Sequence, residues 1–194
     1  MTIPLRRIGG LAAASVAALS LLGACTPPDK AVGDTQEKEP DVAFDGLDRG
    51  DVVIGFIGSD RPDFDRVALQ ALEDSGLAAS YLSVAEVEDP ARAAQQGVKD
   101  MAERQVAIIV VSRLDIADDT ADGWDEALDD ARGAGIPVAL LNPLSELPDD
   151  TLYAAALTVN DRAADATPIG DAVMTIIDDL PHDKDMMVGT LTDE

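Results

Sequence analysis

The run Val106-Ala107-Ile108-Ile109-Val110-Val111-Ser112 is apolar at every position before the serine and rich in β-branched residues. A strand with one wet face alternates. A continuous run needs cover on both faces, as in a parallel strand held between helices. Comparable runs occupy 52–58, 137–141, 153–159 and 186–191, and a shorter, more polar one at 79–84 reads as a strand near a sheet edge. Between them the apolar period changes to that of a helix. Phe64, Val67, Ala68, Ala71, Leu72 and Ser75 share one face, and Ala91, Ala94, Val98, Met101 and Ala102 another. Ala121, Trp124, Leu128 and Ala131 make a third stripe, and Val173, Ile176, Ile177 and Leu180 a fourth. The punctuation agrees: Asp89-Pro90 opens a helix, Gly76 and Gly133-Ala134-Gly135 end two, and Thr167-Pro168 is set to cap and start the last. Trp124 is expected in the helix–sheet core.

Strands that alternate with helices predict an α/β fold: a doubly wound parallel sheet flanked by helices, in three αβα layers. The expected order sets the strand of Ile54 beside that of Ile109, with their connections leaving in opposite directions. That opens a crevice at the strands' C-terminal ends, between Ser59-Asp60 and Ser112-Arg113, where open α/β sheets take their ligands.

The flanks have no such period. Residues 1–24 carry Arg6-Arg7 and then an apolar stretch over 11–22, the layout of a secretory signal and short for a membrane span. Residues 25–50 hold prolines and mixed charge and read as a flexible tether, leaving 51–194 as the folded lobe. His182, the one histidine, sits in a polar loop with no partner visible in sequence. One cysteine, Cys25, permits no internal disulfide and no cysteine metal site.

Charge narrows the partners. The chain has 14 Lys+Arg against 38 Asp+Glu, net −24. It stands at −26 once residues 1–24, with two arginines and no acid, are set aside. Such a surface repels nucleic acid and anionic lipid, so no nucleic-acid partner is expected. Aromatics are only 3%, so Ala, Val, Leu and Ile must build the core. Asp118, Asp119, Asp122 and Asp129 have roughly the spacing of a calcium loop, but the twelfth position is Asp and the stretch reads equally as an acidic first helical turn. No metal and no cofactor are expected.

Leu22-Gly23-Ala24-Cys25 resembles a lipobox, which implies a lipid on the Cys25 sulfur, cleavage before it, and an extracytoplasmic, membrane-anchored bacterial protein. The folded part resembles the N-terminal lobe of the type I periplasmic binding proteins, the sugar-binding components of ABC importers. The pieces that carry this are Val53-Ile54-Gly55-Phe56-Ile57, Val98-Lys99-Asp100-Met101, the central run, Ala131-Arg132-Gly133-Ala134-Gly135-Ile136-Pro137-Val138 and Leu157-Thr158-Val159-Asn160-Asp161. The resemblance implies a small polar solute, of the sugar class, held at the strand ends, with an ABC permease as partner. It places the contacts at Ser59, Asp60, Ser112, Arg113, Asn142 and Asp161.

The chain departs from that family in three ways. It stops soon after the point of crossing into a second lobe, so a second lobe in trans or a homodimer is the expected completion, with Met186–Leu191 as a docking patch. Asn142-Pro143 stands where many sugar binders carry Asp-Arg. Few aromatics are placed to stack a sugar. Each contact also has a plain structural role: Ser59 and Asp60 in a turn before Pro62, Arg113 paired with Asp115 or Asp118, Asn142 in a turn, Asp161 as a helix cap. The alternative function is therefore a surface interaction module that keeps the fold without binding a solute. An enzyme on the same sheet is a distant third.

Overall fold

A computed structural model describes residues 29–35, 46–147 and 149–191. The expected signal segment and Cys25 lie outside the described residues. The lobe is one seven-stranded sheet with every pairing parallel, in the order β2-β1-β3-β4-β5-β7-β6. The strands are β1 (Val53–Ile57), β2 (Ala78–Leu82), β3 (Ile108–Ser112), β4 (Val138–Leu141), β5 (Ala155–Val159), β6 (Thr167–Pro168) and β7 (Asp185–Gly189). The helices are α1 (Pro62–Asp74), α2 (Pro90–Glu103), α3 (Ala121–Gly133) and α4 (Ile169–Ile177).

The unbroken apolar run does what its pattern demands. In β3, Ile108 and Val110 point into a core shared with α1 and α4, while Ile109 and Val111 point into a second core under α2 and α3. All five β3 residues are buried. β1 lies beside β3 in parallel, Ile54 opposite Ile108. From β1 the chain turns through α1 to β2 on one side, and from β3 through α3 to β4 on the other. The crevice between the two departures is the topological switch point.

Local signals hold where they concern backbone geometry. Asp89 accepts the Arg92 amide at the start of α2, and Pro90 is its first residue. Gly76 and Gly135 follow α1 and α3 at positive φ. Thr167-Pro168 differs from expectation. These residues are extended and pair with β7, and α4 begins only at Ile169 without a side-chain cap. The physical reason is the sheet edge: a two-residue strand containing proline closes the β7 side while offering little backbone to another chain. Of the expected docking patch, Met187 and Leu191 are exposed but Val188 is fully buried.

Two parts of the expected tether are docked on the lobe. Ala31 is buried, and the strap 29–35 lies across the N-terminal ends of the strands. The Lys184 ammonium donates to Asp34 Oδ2 (2.9 Å) and to the carbonyls of Asp150 and Tyr153, and sits 4.2 Å from the centre of the Tyr153 ring. His182 is 8% exposed, its ring nitrogens facing the carbonyls of Gly33 (2.8 Å) and Asp183 (2.9 Å), while its amide donates to Thr35. Thr35 also bonds Asp179. At 46–51, Leu47 donates to Asp178 and Arg49 pairs with Asp171. The composition of these stretches gave no sign of packing, because polar contacts hold them rather than an apolar face.

Candidate functional site

The switch-point crevice opens into a cavity of about 330 Å³. Its floor is the ends of β1 and β3, and its walls are the first turns of α2 and α3. That volume is at the small end of the range for small-molecule sites. The lining is largely apolar (Val84, Ala94, Val111, Leu114 and Trp124 among others), with Asp60, Arg113 and Asp115 as the charges.

Four of the six sequence candidates meet here: Ser59, Asp60, Ser112 and Arg113. Their side chains differ in what they offer. Ser59 and Ser112 are buried, and both hydroxyls donate inward to Asp65 Oδ1, at 2.9 and 2.7 Å. The Ser59 amide donates to Asp65 Oδ2 at 2.8 Å, and the Tyr81 hydroxyl to the same oxygen at 3.2 Å. Asp60 and Arg113 face each other across the crevice, with Arg113 Nε 3.6 Å from Asp60 Oδ1. Of the alternatives for Arg113, then, neither Asp115 nor Asp118 is its partner in this geometry. Asp115 instead accepts from Ser145, whose hydroxyl also receives the Ile116 amide. Arg113 has φ +51°, a left-handed conformation unusual for a non-glycine residue, and its amide donates to Leu141.

Asn142 and Asp161 lie outside the cavity. Asn142 Oδ1 accepts the Val159 amide (2.8 Å) and ties the end of β4 to β5. Asp161 caps no helix. It accepts the amide and hydroxyl of Thr190, joining the end of β5 to the end of β7.

Asp65 is the residue sequence reasoning missed. It is fully buried, forms no ion pair among the described residues, and joins the ends of β1 and β3 to β2 by accepting four hydrogen bonds. A signal was available: it lies three and seven residues before Ala68 and Leu72, on the apolar face of α1, where an acid is out of place. Gly58 makes the cluster fit. A Cβ there would stand 2.6 Å from the Tyr81 ring and 2.9 Å from Asp65 Oδ2.

Two buried side-chain nitrogens among the described residues have no hydrogen-bond partner, Arg113 Nε and Trp124 Nε1. Both residues line this cavity. Trp124 is 3% exposed and in the core, as expected, yet its indole N–H faces no acceptor. Arg113 Nε has the Asp60 carboxylate at 3.6 Å, an ion pair beyond hydrogen-bond reach, and Trp124 Nε1 has no partner. A buried donor left without a hydrogen bond costs about 1–3 kcal/mol, so both would gain from an acceptor oxygen, the indole most.

Burial raises the Tyr81 phenol above its ordinary 10.0, and the Asp65 carboxylate adds to this against the Ser83 hydroxyl, which lowers it. Burial raises Tyr153 likewise, helped by Asp185 and other nearby acids. The folded phenols therefore hold their protons more tightly than the unfolded chain does. Their contribution is intact below pH 10 and is lost as pH climbs through the raised folded values. Thermal melts will fall on the alkaline side, and Tyr81→Phe will flatten part of that fall. An unchanged alkaline slope in this variant counts against the argument.

Among the described residues no helix is long and apolar enough to cross a membrane. No protein-family model matches the chain, and no curated protein matches it. Solved structures do resemble it. A galactofuranose binding protein is 20% identical with a TM-score of 0.45, over 57% of this chain and 36% of that one. The periplasmic binding protein component of the arabinose ABC transporter from Shewanella sp. ANA-3, bound to α- and β-L-arabinofuranose, is 13% identical with a TM-score of 0.43, over 72% and 55%. A carbohydrate transporter from Acidothermus cellulolyticus 11B in complex with myo-inositol is 15% identical with a TM-score of 0.43, over 71% and 55%. The chain thus spans 36% of the first of these structures and 55% of each of the other two.

Proposed function

We propose that the chain is a membrane-anchored solute-binding lipoprotein, not an enzyme, that takes a small polar solute of the sugar class in the switch-point cavity. Cys25 carries the lipid, and the lobe works outside the cytoplasm. One observation supports the binding reading most: the two buried donors without acceptors, Arg113 Nε and Trp124 Nε1, belong to residues of one cavity of solute size. A solute bearing hydroxyl or carboxylate oxygens supplies acceptors to both, lays its apolar face on Leu114 and Val84, and bridges Asp60 and Arg113. Asp65 touches no solute in this reading. It holds the two loops at their spacing.

The test is a thermal melt of residues 26–194 against neutral and acidic sugars. A ligand at one hundred times its dissociation constant adds about 2.7 kcal/mol of stability. Arg113→Ala is expected to abolish the shift while leaving the unliganded melt close to that of the parent. A shift that survives this substitution removes Arg113 from the site.

A second reading has its own support. The side chains of Ser59, Ser112, Asn142 and Asp161 are all occupied by internal hydrogen bonds. A surface interaction module that keeps the fold without a solute needs no more than that. No shift with any sugar, together with self-association or capture of a second lobe, moves the assignment to this reading.

A further inference from the structure

We infer that the crevice faces away from the bilayer, so that whatever it binds meets it from the aqueous side. The inference rests on the anchored reading above and adds to it an orientation, which the docked strap imposes.

The strap joins the lobe at the pole opposite the crevice. Arg132, in the last turn of α3, donates to the Lys30 carbonyl. Ala31 is buried, and Gly33 lies against Pro137, the residue before β4, and against Ile176 near the end of α4. Asp34 and Thr35 are held by Lys184 and Asp179, both at the same end of the sheet. The cavity is at the other end of the same helix, lined by Thr120 and Trp124 at the start of α3.

Helix α3 is therefore a ruler between the two. From Thr120 to Arg132 the rise is about 18 Å. From Cys25 to Lys30 is five residues, which fully extended span at most about 18 Å. With the strap docked, a lobe turned crevice-down would need all of that length simply to run alongside α3. None would remain for the loop after β2 and the rest of the rim, which stand beyond the helix start. The permitted poses, base-down or side-on, leave the cavity mouth open to solvent and hold the base at least as near the lipid as the mouth. Had 25–50 all been free chain, about 25 residues of slack would have allowed either pose.

The experiment uses the full lipidated chain on phosphatidylcholine vesicles that carry a nitroxide on a fraction of the headgroups. A fluorophore is placed on a thiol at Leu180→Cys, exposed at the base, or at Val87→Cys, exposed in the loop after β2 at the crevice end. The Cys25 thiol is blocked by its lipid. Quenching at position 180 is expected to exceed that at 87 by at least ~threefold, since one helix length separates the two ends. Releasing the strap with His182→Ala and Lys184→Ala together is expected to bring quenching at 87 up toward that at 180. Equal quenching in the parent, or stronger quenching at 87, overturns the inference. So does a strap-released protein that keeps the parent's difference. A chain not retained by the vesicles sinks the anchored reading and this orientation with it. Failure of every sugar to bind leaves the orientation standing, so the two failures are distinguishable.

Discussion

Replacing Asp65 with alanine is expected to lower the free energy of unfolding by about 3–4 kcal/mol and to loosen the crevice. The fully buried carboxylate accepts from the Ser59 amide, the buried Ser59 and Ser112 hydroxyls and, in a partly exposed bond, the Tyr81 hydroxyl. Hydrogen bonds to a charged acceptor are worth about 1.5–3 kcal/mol each, and buried donors stripped of their acceptor cost about 1–3. The sum overstates the loss, because relief of a desolvated carboxylate and water entry beside the cavity offset part of it. Asp65→Asn keeps the volume but replaces one acceptor oxygen with a donor, so it is expected to lose less. Urea melts of both variants check the order. A loss below about 1 kcal/mol for alanine would show that the cluster does not hold the loops. Amide exchange at Ser59 and Ser112 gives a second readout, because the loops carrying Asp60 and Arg113 are spaced by these bonds.

Lys184→Ala is the second large effect, at the opposite pole. The ammonium pairs with Asp34, donates to two backbone carbonyls and lies over the Tyr153 ring. Both ion-pair partners are mostly covered, with side chains 19% and 11% exposed. Removing one partner of such a pair leaves the other charge desolvated, so the loss is larger than for a surface ion pair. It is expected to be about 2–3 kcal/mol, with amide exchange over 29–35 rising to that of free chain. Lys184→Met keeps much of the apolar stem over Tyr153 and separates packing from charge. If the strap amides stay protected in the alanine variant, then His182, Arg132 and the buried Ala31 hold the segment without Lys184.

The exposed ion pairs elsewhere carry less. Lys99 reaches Glu126 and Asp130 across α2 and α3, and its hydrogen bond to Glu126 holds that carboxyl below the usual glutamate range. These groups are solvated, and salt screens them.

The residues show how far the reading of a bare sequence extends. The β3 run predicted a doubly covered central strand because a backbone buried on both faces leaves no room for alternation. Its neighbour β1, the departures on opposite sides and the placing of Asp60 and Arg113 at one crevice follow from the handedness of crossovers and the twist of parallel strands. Those are properties of any chain with this order of elements. What Asp60 and Arg113 do was open in sequence, since Asp115 and Asp118 lay nearer along the chain than Asp60. Only the fold set the two ends 3.6 Å apart.

By itself, then, the sequence determined the class of fold, the switch point and four of the residues at the cavity, because each rests on local periodicity. The tertiary structure alone decided the rest: that Ser59 and Ser112 turn inward to Asp65, that Asn142 and Asp161 brace strand ends, and that 29–35 packs on the base. These depend on polar contacts between segments 6 to 150 positions apart, and such contacts leave no period in the chain to read.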